Sequence, residues 1–234
     1  MQDNTRRYVL EMIGTFILVF MGAGSIVANA YTEGALGPVG VALANGLALA
    51  AAFYAISGAT GAHVNPAVTI GMWVTKRIST ANAAGYIVGQ LAGAAIAGWL
   101  LTQFYSNALA VGAGVPVLST GISFAKGVAI EAVLTFLLVF ALFATAVDRR
   151  GSPNHAALAI GFVLAASVLV GGGLTGAALN PARAFGPAIA VGFWENHAVY
   201  WVGPILGAIA AALFYSHYVL GVEAKPAMKA KKKR

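Results

Sequence analysis

The chain has no cysteine among its 234 residues, and only 9% of its residues are charged. The absence of thiols excludes disulfide frameworks, cysteine-ligated metal centres and thiol catalysis. So few charges could not cover a water-facing surface, since a soluble domain is about one quarter charged. Hydrophobic residues make up 59% of the chain instead. This composition predicts an integral membrane protein.

Six apolar runs are long enough to cross a bilayer, since a helical crossing needs roughly 20 residues. They are predicted at 8–29, 37–57, 83–105, 124–147, 155–173 and 198–220. The runs are continuously apolar and rich in leucine and alanine, which favours helices over the alternating strands of a membrane barrel. The first run lacks a small-residue cleavage site, so we expect a retained helix and not a signal peptide.

Basic residues cluster at four places that six spans bring to one side of the membrane. They are Arg6 and Arg7, Lys76 and Arg77, Arg149 and Arg150, and the tail 221–234, which ends in KAKKKR. The positive-inside rule makes this side cytoplasmic, with both termini there. We expect a multi-pass protein of the plasma (inner) membrane, with a basic cytoplasmic tail that can attract anionic lipid. The net charge of +7 therefore needs no nucleic-acid partner.

Two halves of the chain repeat each other. YVLEMIGTFILVF at 8–20 matches GVAIEAVLTFLLVF at 127–140, and YIVGQLAGAAIAG at 86–98 matches YWVGPILGAIAAA at 200–212. Repetition in the same order indicates an internal duplication, with repeats at about 6–105 and 124–220 inside one domain, 1–234. Each half holds three spans, so the second half enters the membrane from the opposite side and the repeats are inverted.

The two halves also share a motif between spans, GAHVNPAVT at 61–69 and GAALNPARA at 176–184. Asparagine is a favoured helix cap and proline is favoured in the first turn, so each motif predicts the start of a short helix. The apolar stretch that follows is long enough for only half a crossing. Two half-helices from opposite faces would meet at mid-membrane, where irregular backbone must line a cavity or be buried in protein.

The segments SGATGAHVNPAVTIG and GAALNPARAFGPA closely resemble the signatures of the aquaporin, or major intrinsic protein, family. The resemblance implies an all-α channel domain with six transmembrane helices and two re-entrant half-helices. It also implies a homotetramer in membrane lipid, a pore in each monomer that passes water and small neutral solutes, and no enzyme activity, cofactor or metal. At the pore centre it implies Asn65, Pro66, Ala67, Asn180, Pro181 and Ala182. It implies that Glu11, Glu131 and His63 brace the re-entrant loops.

The family sets selectivity at a constriction of four residues, which the resemblance carries over to Asn45, Val168, Ala177 and Arg183. Water-selective members typically have Phe and His at the first two positions, and glycerol facilitators have Trp and Gly. Asn and Val are smaller than Phe and His, so the constriction is expected to be wider than in a strict water channel. A register slip of one residue would replace Asn45 by Ala44 or Gly46, which are smaller still.

Other positions resemble water channels and not glycerol facilitators. Ala184 follows Arg183 where glycerol-type members carry an acidic residue, and Tyr200–Trp201 matches the water-type aromatic pair. The sequence therefore predicts a water channel with relaxed selectivity, with ammonia, hydrogen peroxide and glycerol as additional candidate solutes and with protons and ions excluded. The alternatives are a glycerol or small-solute facilitator, a coupled secondary transporter and a structural membrane protein with a closed pore.

Overall fold

The computed structural model describes residues 2–221, and the predicted basic tail from 222 onwards lies outside the described residues. The described chain forms long helices α1, α2, α4, α5, α6 and α8 and half-helices α3 and α7. Their bounds are α1 Gln2–Tyr31, α2 Gly37–Thr60, α3 Pro66–Val74, α4 Thr80–Phe104, α5 Phe124–Leu142, α6 Ala156–Thr175, α7 Pro181–Val191 and α8 Val199–Phe214. The last turns of α5 and α8 widen into π-helices at Phe143–Val147 and Tyr215–Val219.

Within the described residues, six helices are long and apolar enough to cross a membrane. They coincide with the six predicted spans, and their ends differ by a few residues where a local cap decides the boundary. Helix α4 begins at Thr80 and not at 83 because the Ser79 side chain caps it, accepting a hydrogen bond from Asn82 N at 3.3 Å. The six-span fold predicted from hydrophobicity is confirmed.

The helices pack in the order that an inverted repeat requires. Helix α1 contacts α4 and α2, and its counterpart α5 contacts α8 and α6 in the same way. Each half-helix packs against the third long helix of the other repeat, α7 on α4 and α3 on α8. Helices α2 and α6 join the repeats. The two halves therefore enclose one interior instead of folding as separate units.

Glycines at equivalent places bring these helices close together. A Cβ on Gly93 of α4 would collide with the backbone oxygen of Met12 in α1. A Cβ on Gly207 of α8 would collide in the same way with the backbone oxygen of Ala132 in α5. Small residues at four-residue spacing allow such close approach in membranes. Close helix contact at these glycines is thus present in both repeats.

Candidate functional site: a polar centre between two half-helices

Asn65 and Asn180 cap the two half-helices. Both have extended backbone conformations, and their side-chain oxygens accept hydrogen bonds from Ala67 N at 2.8 Å and Ala182 N at 2.9 Å. Because the oxygen of each carboxamide is turned to its own helix, the amide nitrogen is turned away from it. The caps expected from the two Asn-Pro motifs are therefore present, and they fix how each side chain is oriented.

Each amide nitrogen then crosses to the other loop. Asn65 Nδ2 donates to the carbonyl oxygen of Leu179 at 2.9 Å, and Asn180 Nδ2 donates to that of Val64 at 2.9 Å. A carboxamide carries two N–H donors, so each asparagine keeps a second hydrogen. Both side chains line one central cavity. Two amide donors and two helix N-termini therefore meet around one small space, which favours a partially negative oxygen over a cation.

Two fully buried glutamates hold the loops that carry these asparagines. Glu11 accepts hydrogen bonds from His63 N at 3.0 Å and Val64 N at 2.7 Å. In the other repeat, Glu131 accepts from Ala178 N at 3.0 Å and Leu179 N at 2.7 Å. Each carboxylate thus accepts hydrogen bonds from two consecutive backbone N–H groups of a loop, which lie outside any helix and need a partner because they are buried.

The loop backbone is strained at matching positions in the two repeats. Ala62 and Val64 have φ of 48° and 43°, and Ala177 and Leu179 have φ of 45° and 53°. These residues carry a Cβ in the left-handed region, which costs on the order of 1–2 kcal/mol at each. The strain is held in place by the glutamate contacts and by the crossed asparagine bonds. Conformations of this kind concentrate at functional sites.

The cavity is mostly apolar, with few polar groups. Its apolar wall comes from both repeats and includes Leu18, Leu49, Phe53, Val68, Leu138, Leu142, Ile160 and Leu164. Its polar members are Asn45, His63, Asn65, Asn180 and Arg183. An apolar wall offers few hydrogen bonds to a passing molecule, so the molecule is recognised where the polar groups lie.

The four predicted filter residues do not all reach this cavity. Asn45 and Arg183 line it, whereas Val168 and Ala177 are not among its lining residues. Val168 is half-buried against the main hydrophobic core, and Ala177 is buried. The Asn45 amide is used within the protein, since Nδ2 donates to Val41 O at 2.9 Å. At this position the pore therefore presents a short side chain tied to its own helix.

Arg183 is only 3% exposed although it carries a charge. Its Nη1 donates to the carbonyl oxygen of Gly114 at 2.7 Å, and its Nε has no hydrogen-bond partner within residues 2–221. Gly114 has φ of 78°, and a Cβ there would lie 2.7 Å from Ala23 O. The loop 105–123 between α4 and α5 thus folds inward to hold the guanidinium. Gly114 lies in a segment without a motif, so its role could not be predicted from the sequence.

Two further side chains, in the hydrogen-bond network around Glu11, were also not predicted from the sequence. Gln90 and Thr69 are fully buried and connect Glu11 to His63. The signal that could have identified Gln90 is an amide within an otherwise apolar span, because a polar group in lipid needs a partner. Thr69 stands four residues after Asn65, which places it on the same helix face.

Beyond the C-terminal ends of α5 and α8, a separate polar cluster ties these two helices together. Asp148 accepts a bidentate hydrogen bond from Arg150 and another from Tyr215 Oη at 3.1 Å. Arg150 also donates to Val219 O at 3.1 Å. The guanidinium holds the pKa of Asp148 well below its ordinary value. Among the described residues, no group of three or more His, Cys, Asp or Glu side chains could hold a metal ion.

Comparisons with known proteins agree with this architecture. Residues 1–215 match the family model described as Major intrinsic protein. The chain is 44% identical to Aquaporin TIP4-4 of Zea mays, a match that covers 90% of this chain and 85% of that protein. It is 37% identical to Aquaporin AqpM of Methanothermobacter marburgensis, with 93% and 98% covered. Its structure resembles the aquaglyceroporin from Plasmodium falciparum at a TM-score of 0.83 and 26% identity, covering 93% and 98%.

Sequence, helix arrangement and the paired half-helices thus lead to the same result, and nothing in them points to catalysis. The chain is an integral multi-pass membrane protein that belongs to the major intrinsic protein family, whose members are channels for water and small solutes.

Proposed function

We propose that this chain is a passive water channel with relaxed selectivity, which also passes ammonia, hydrogen peroxide and glycerol and excludes protons and ions. The observation that supports it most is the single cavity in which the amides of Asn65 and Asn180 meet. These donors favour the oxygen of a neutral solute. The half-helix dipoles and the charge of Arg183 oppose cations, a device found in channels of this type.

The breadth of the selectivity rests on the constriction. Asn45 is short and tied to its own helix, so it leaves more room than an aromatic ring would. Glycerol facilitation is the second candidate function, and the structural likeness to a protein named as an aquaglyceroporin favours it. The residues Ala184 and Tyr200–Trp201 favour water.

A panel of solutes separates these functions. The purified protein is reconstituted into proteoliposomes, and shrinkage under osmotic gradients is followed by stopped-flow light scattering. We expect fast water flux with a low activation energy, and fluxes of ammonia and glycerol above those of empty vesicles. Glycerol flux without fast water flux would favour the facilitator. No conduction at all would favour a closed-pore protein, and flux that depends on an ion gradient would favour a coupled transporter.

The assembly and the membrane are part of the same proposal. We propose a homotetramer, since large apolar side chains such as Leu47, Phe162 and Val170 are more than half exposed on the outer faces. Lipid and neighbouring subunits are the two surroundings that suit such faces. Cross-linking in membranes should give a four-subunit product.

We also propose that the chain lies in the plasma membrane with both termini cytoplasmic. A fluorescent fusion tests this location, and a signal confined to internal membranes would contradict it.

A further inference from the structure

The polar network beside Glu11 has no counterpart in the other repeat. His63, Thr69 and Gln90 correspond to Ala178, Ala184 and Pro204 by their positions relative to the shared motifs. At Glu131 the remaining carboxylate partner is the hydroxyl of Thr175, at 2.6 Å. Only the cytoplasmic side of the asparagine pair therefore places an imidazole against the cavity.

The donor and the acceptor of each hydrogen bond in this network can be assigned in turn, starting from the Glu11 carboxylate. Its carboxylate already accepts two backbone hydrogen bonds and lies 2.7 Å from Gln90 Nε2. An ionised carboxylate only accepts, so the amide nitrogen of Gln90, and not its oxygen, faces Glu11. The same nitrogen lies 3.0 Å from Thr69 Oγ1. Its two hydrogens serve Glu11 and Thr69.

The Thr69 hydroxyl has four polar neighbours and one hydrogen to share among them. It lies 3.0 Å from Gln90 Nε2, 3.0 Å from Asn65 O, 3.1 Å from His63 Nδ1 and 3.5 Å from Gln90 Oε1, which can also only accept. Gln90 donates to it, and Asn65 O can only accept, so the hydroxyl hydrogen belongs on Asn65 O. The contact with His63 then needs a hydrogen on Nδ1. If Thr69 donated to His63 instead, two oxygens would face each other at 3.0 Å with no hydrogen between them.

We infer that Gln90 and Thr69 are positioning residues that hold His63 as the Nδ1–H tautomer, so that its bare Nε2 accepts hydrogen bonds from molecules in the pore. His63 Nε2 makes no hydrogen bond within residues 2–221, and the residue lines the cavity. The Tyr86 ring and the imidazole pack in a T-shaped arrangement with 5.1 Å between centroids, which restricts rotation of the imidazole.

The functional consequence rests on the proposed water conduction. A water that accepts from Asn65 and Asn180 turns its hydrogens away from them, towards the two ends of the pore. On the cytoplasmic side, the next groups met should therefore accept hydrogens. A bare Nε2 does so, whereas an Nε2–H would present a donor and compete. The pore would thus have donors at its centre and outer filter and an acceptor on its inner side.

The tautomer is measured directly by solid-state NMR of the full chain in lipid bilayers, with ¹⁵N-labelled histidine. A His63→Gln sample identifies the His63 signals among the four histidines. We expect one tautomer in the unmodified chain, with Nδ1 protonated and Nε2 bare. In Thr69→Val, and more weakly in Gln90→Leu, we expect the Nε2–H form to appear. A wild-type spectrum with Nε2 protonated would overturn the inference, as would a Thr69→Val spectrum identical to wild type.

Two controls separate this role from a structural one. Thr135→Val removes a buried hydroxyl that bonds its own helix in the same way, at 2.7 Å to Glu131 O, in the other repeat. It should leave the tautomer unchanged, and Thr69→Ser should restore the wild-type spectrum. If Thr69→Val does not fold, the wild-type spectrum still tests the tautomer and the Gln90→Leu spectrum still tests the positioning role.

Water flux tests the consequence separately. In Thr69→Val we expect it to fall about fivefold, the scale of one hydrogen bond. Unchanged flux despite a switched tautomer would contradict the role in conduction while leaving the tautomer itself intact. If the wild-type chain conducts no water at all, the proposed function fails instead, and the NMR result still stands.

Discussion

Asn65 and Asn180 are locked to each other's loops: each donates a hydrogen bond to the carbonyl oxygen of the residue that precedes the other. Each side chain therefore has two tasks, since its oxygen caps a half-helix and its nitrogen holds the opposite repeat. The two half-helices are fixed end to end by hydrogen bonds and not by apolar packing alone. This reciprocity places both remaining N–H donors in one cavity.

The first prediction concerns these carboxamides. Asn65→Asp or Asn180→Asp replaces the donating nitrogen with an oxygen that carries charge, so the opposite carbonyl loses its partner and meets a repulsive group. We expect a lower unfolding temperature, loss of most water flux and a cation leak in the protein that does fold. A buried carbonyl left unpaired costs about 1–3 kcal/mol. Thermal unfolding in detergent and vesicle permeability measure both effects. Normal flux and ion tightness in both variants would refute the proposed role.

The second prediction concerns Arg183. Replacing it with Val removes a buried positive charge whose Nη1 is bound to Gly114 O at 2.7 Å. Arg stays protonated at every physiological pH, so the barrier it forms is permanent. We expect Arg183→Val to keep or raise water flux and to admit protons, seen with a pH dye inside proteoliposomes under an imposed gradient. Arg149→Val, which removes an exposed charge from the loop between α5 and α6, serves as the control. A folded Arg183→Val protein as proton-tight as wild type would show that the residue is not a principal barrier.

The third prediction concerns solute size. The double variant Asn45→Phe with Val168→His should suppress the flux of larger solutes such as glycerol and keep water flux, because both replacements are larger. The single variants separate the two positions. Asn45 lines the cavity and Val168 does not, so Asn45→Phe alone should account for most of the narrowing. A wild-type channel that already excludes glycerol and ammonia would contradict the widened constriction outright.

The fourth prediction concerns the cluster of Asp148, Arg150 and Tyr215. Arg150 lowers the pKa of Asp148, so the ionised Asp148 carboxylate stabilises the folded chain. This contribution is present above the ordinary aspartate pKa of about 4 and is lost as the pH falls below it. Asp148→Asn should lower the unfolding temperature at neutral pH and flatten its decline in acid. Glu195→Gln, at an exposed site, should do neither. An Asp148→Asn protein with the wild-type acid profile would contradict the assignment.

The fold could be predicted from local signals because lipid imposes them. Apolar runs give the spans, and the Asn-Pro pairs give the starts of α3 and α7, where both asparagines cap as expected. Duplication of three spans gives the inverted arrangement. None of these inferences requires knowledge of which residues touch across the molecule.

The site could be predicted only in part, because its remaining contacts join distant segments. The bonds from Asn65 to Leu179 O and from Asn180 to Val64 O depend on how two loops more than a hundred residues apart are placed. The bond from Arg183 to Gly114 depends on the loop between α4 and α5, which carries no motif. Spacing likewise could not tell that Asn45 lines the cavity and Val168 does not, since distance along the chain from a motif does not fix which face of a helix meets the cavity.

The central claim is that solutes cross through the cavity between the half-helices. The chain has no cysteine, so a single introduced thiol can be tested without interference. Leu164 and Leu169 lie on the same helix, but Leu164 lines the cavity and is 5% exposed, whereas Leu169 is 53% exposed on the outer face. Water flux is measured in proteoliposomes before and after mercuric ion, and again after a reducing thiol. We predict that mercury reversibly blocks water flux through Leu164→Cys and leaves the flux through Leu169→Cys and the wild type unchanged. Equal block of the flux through both variants, or block of neither in protein shown to be labelled, would contradict the account.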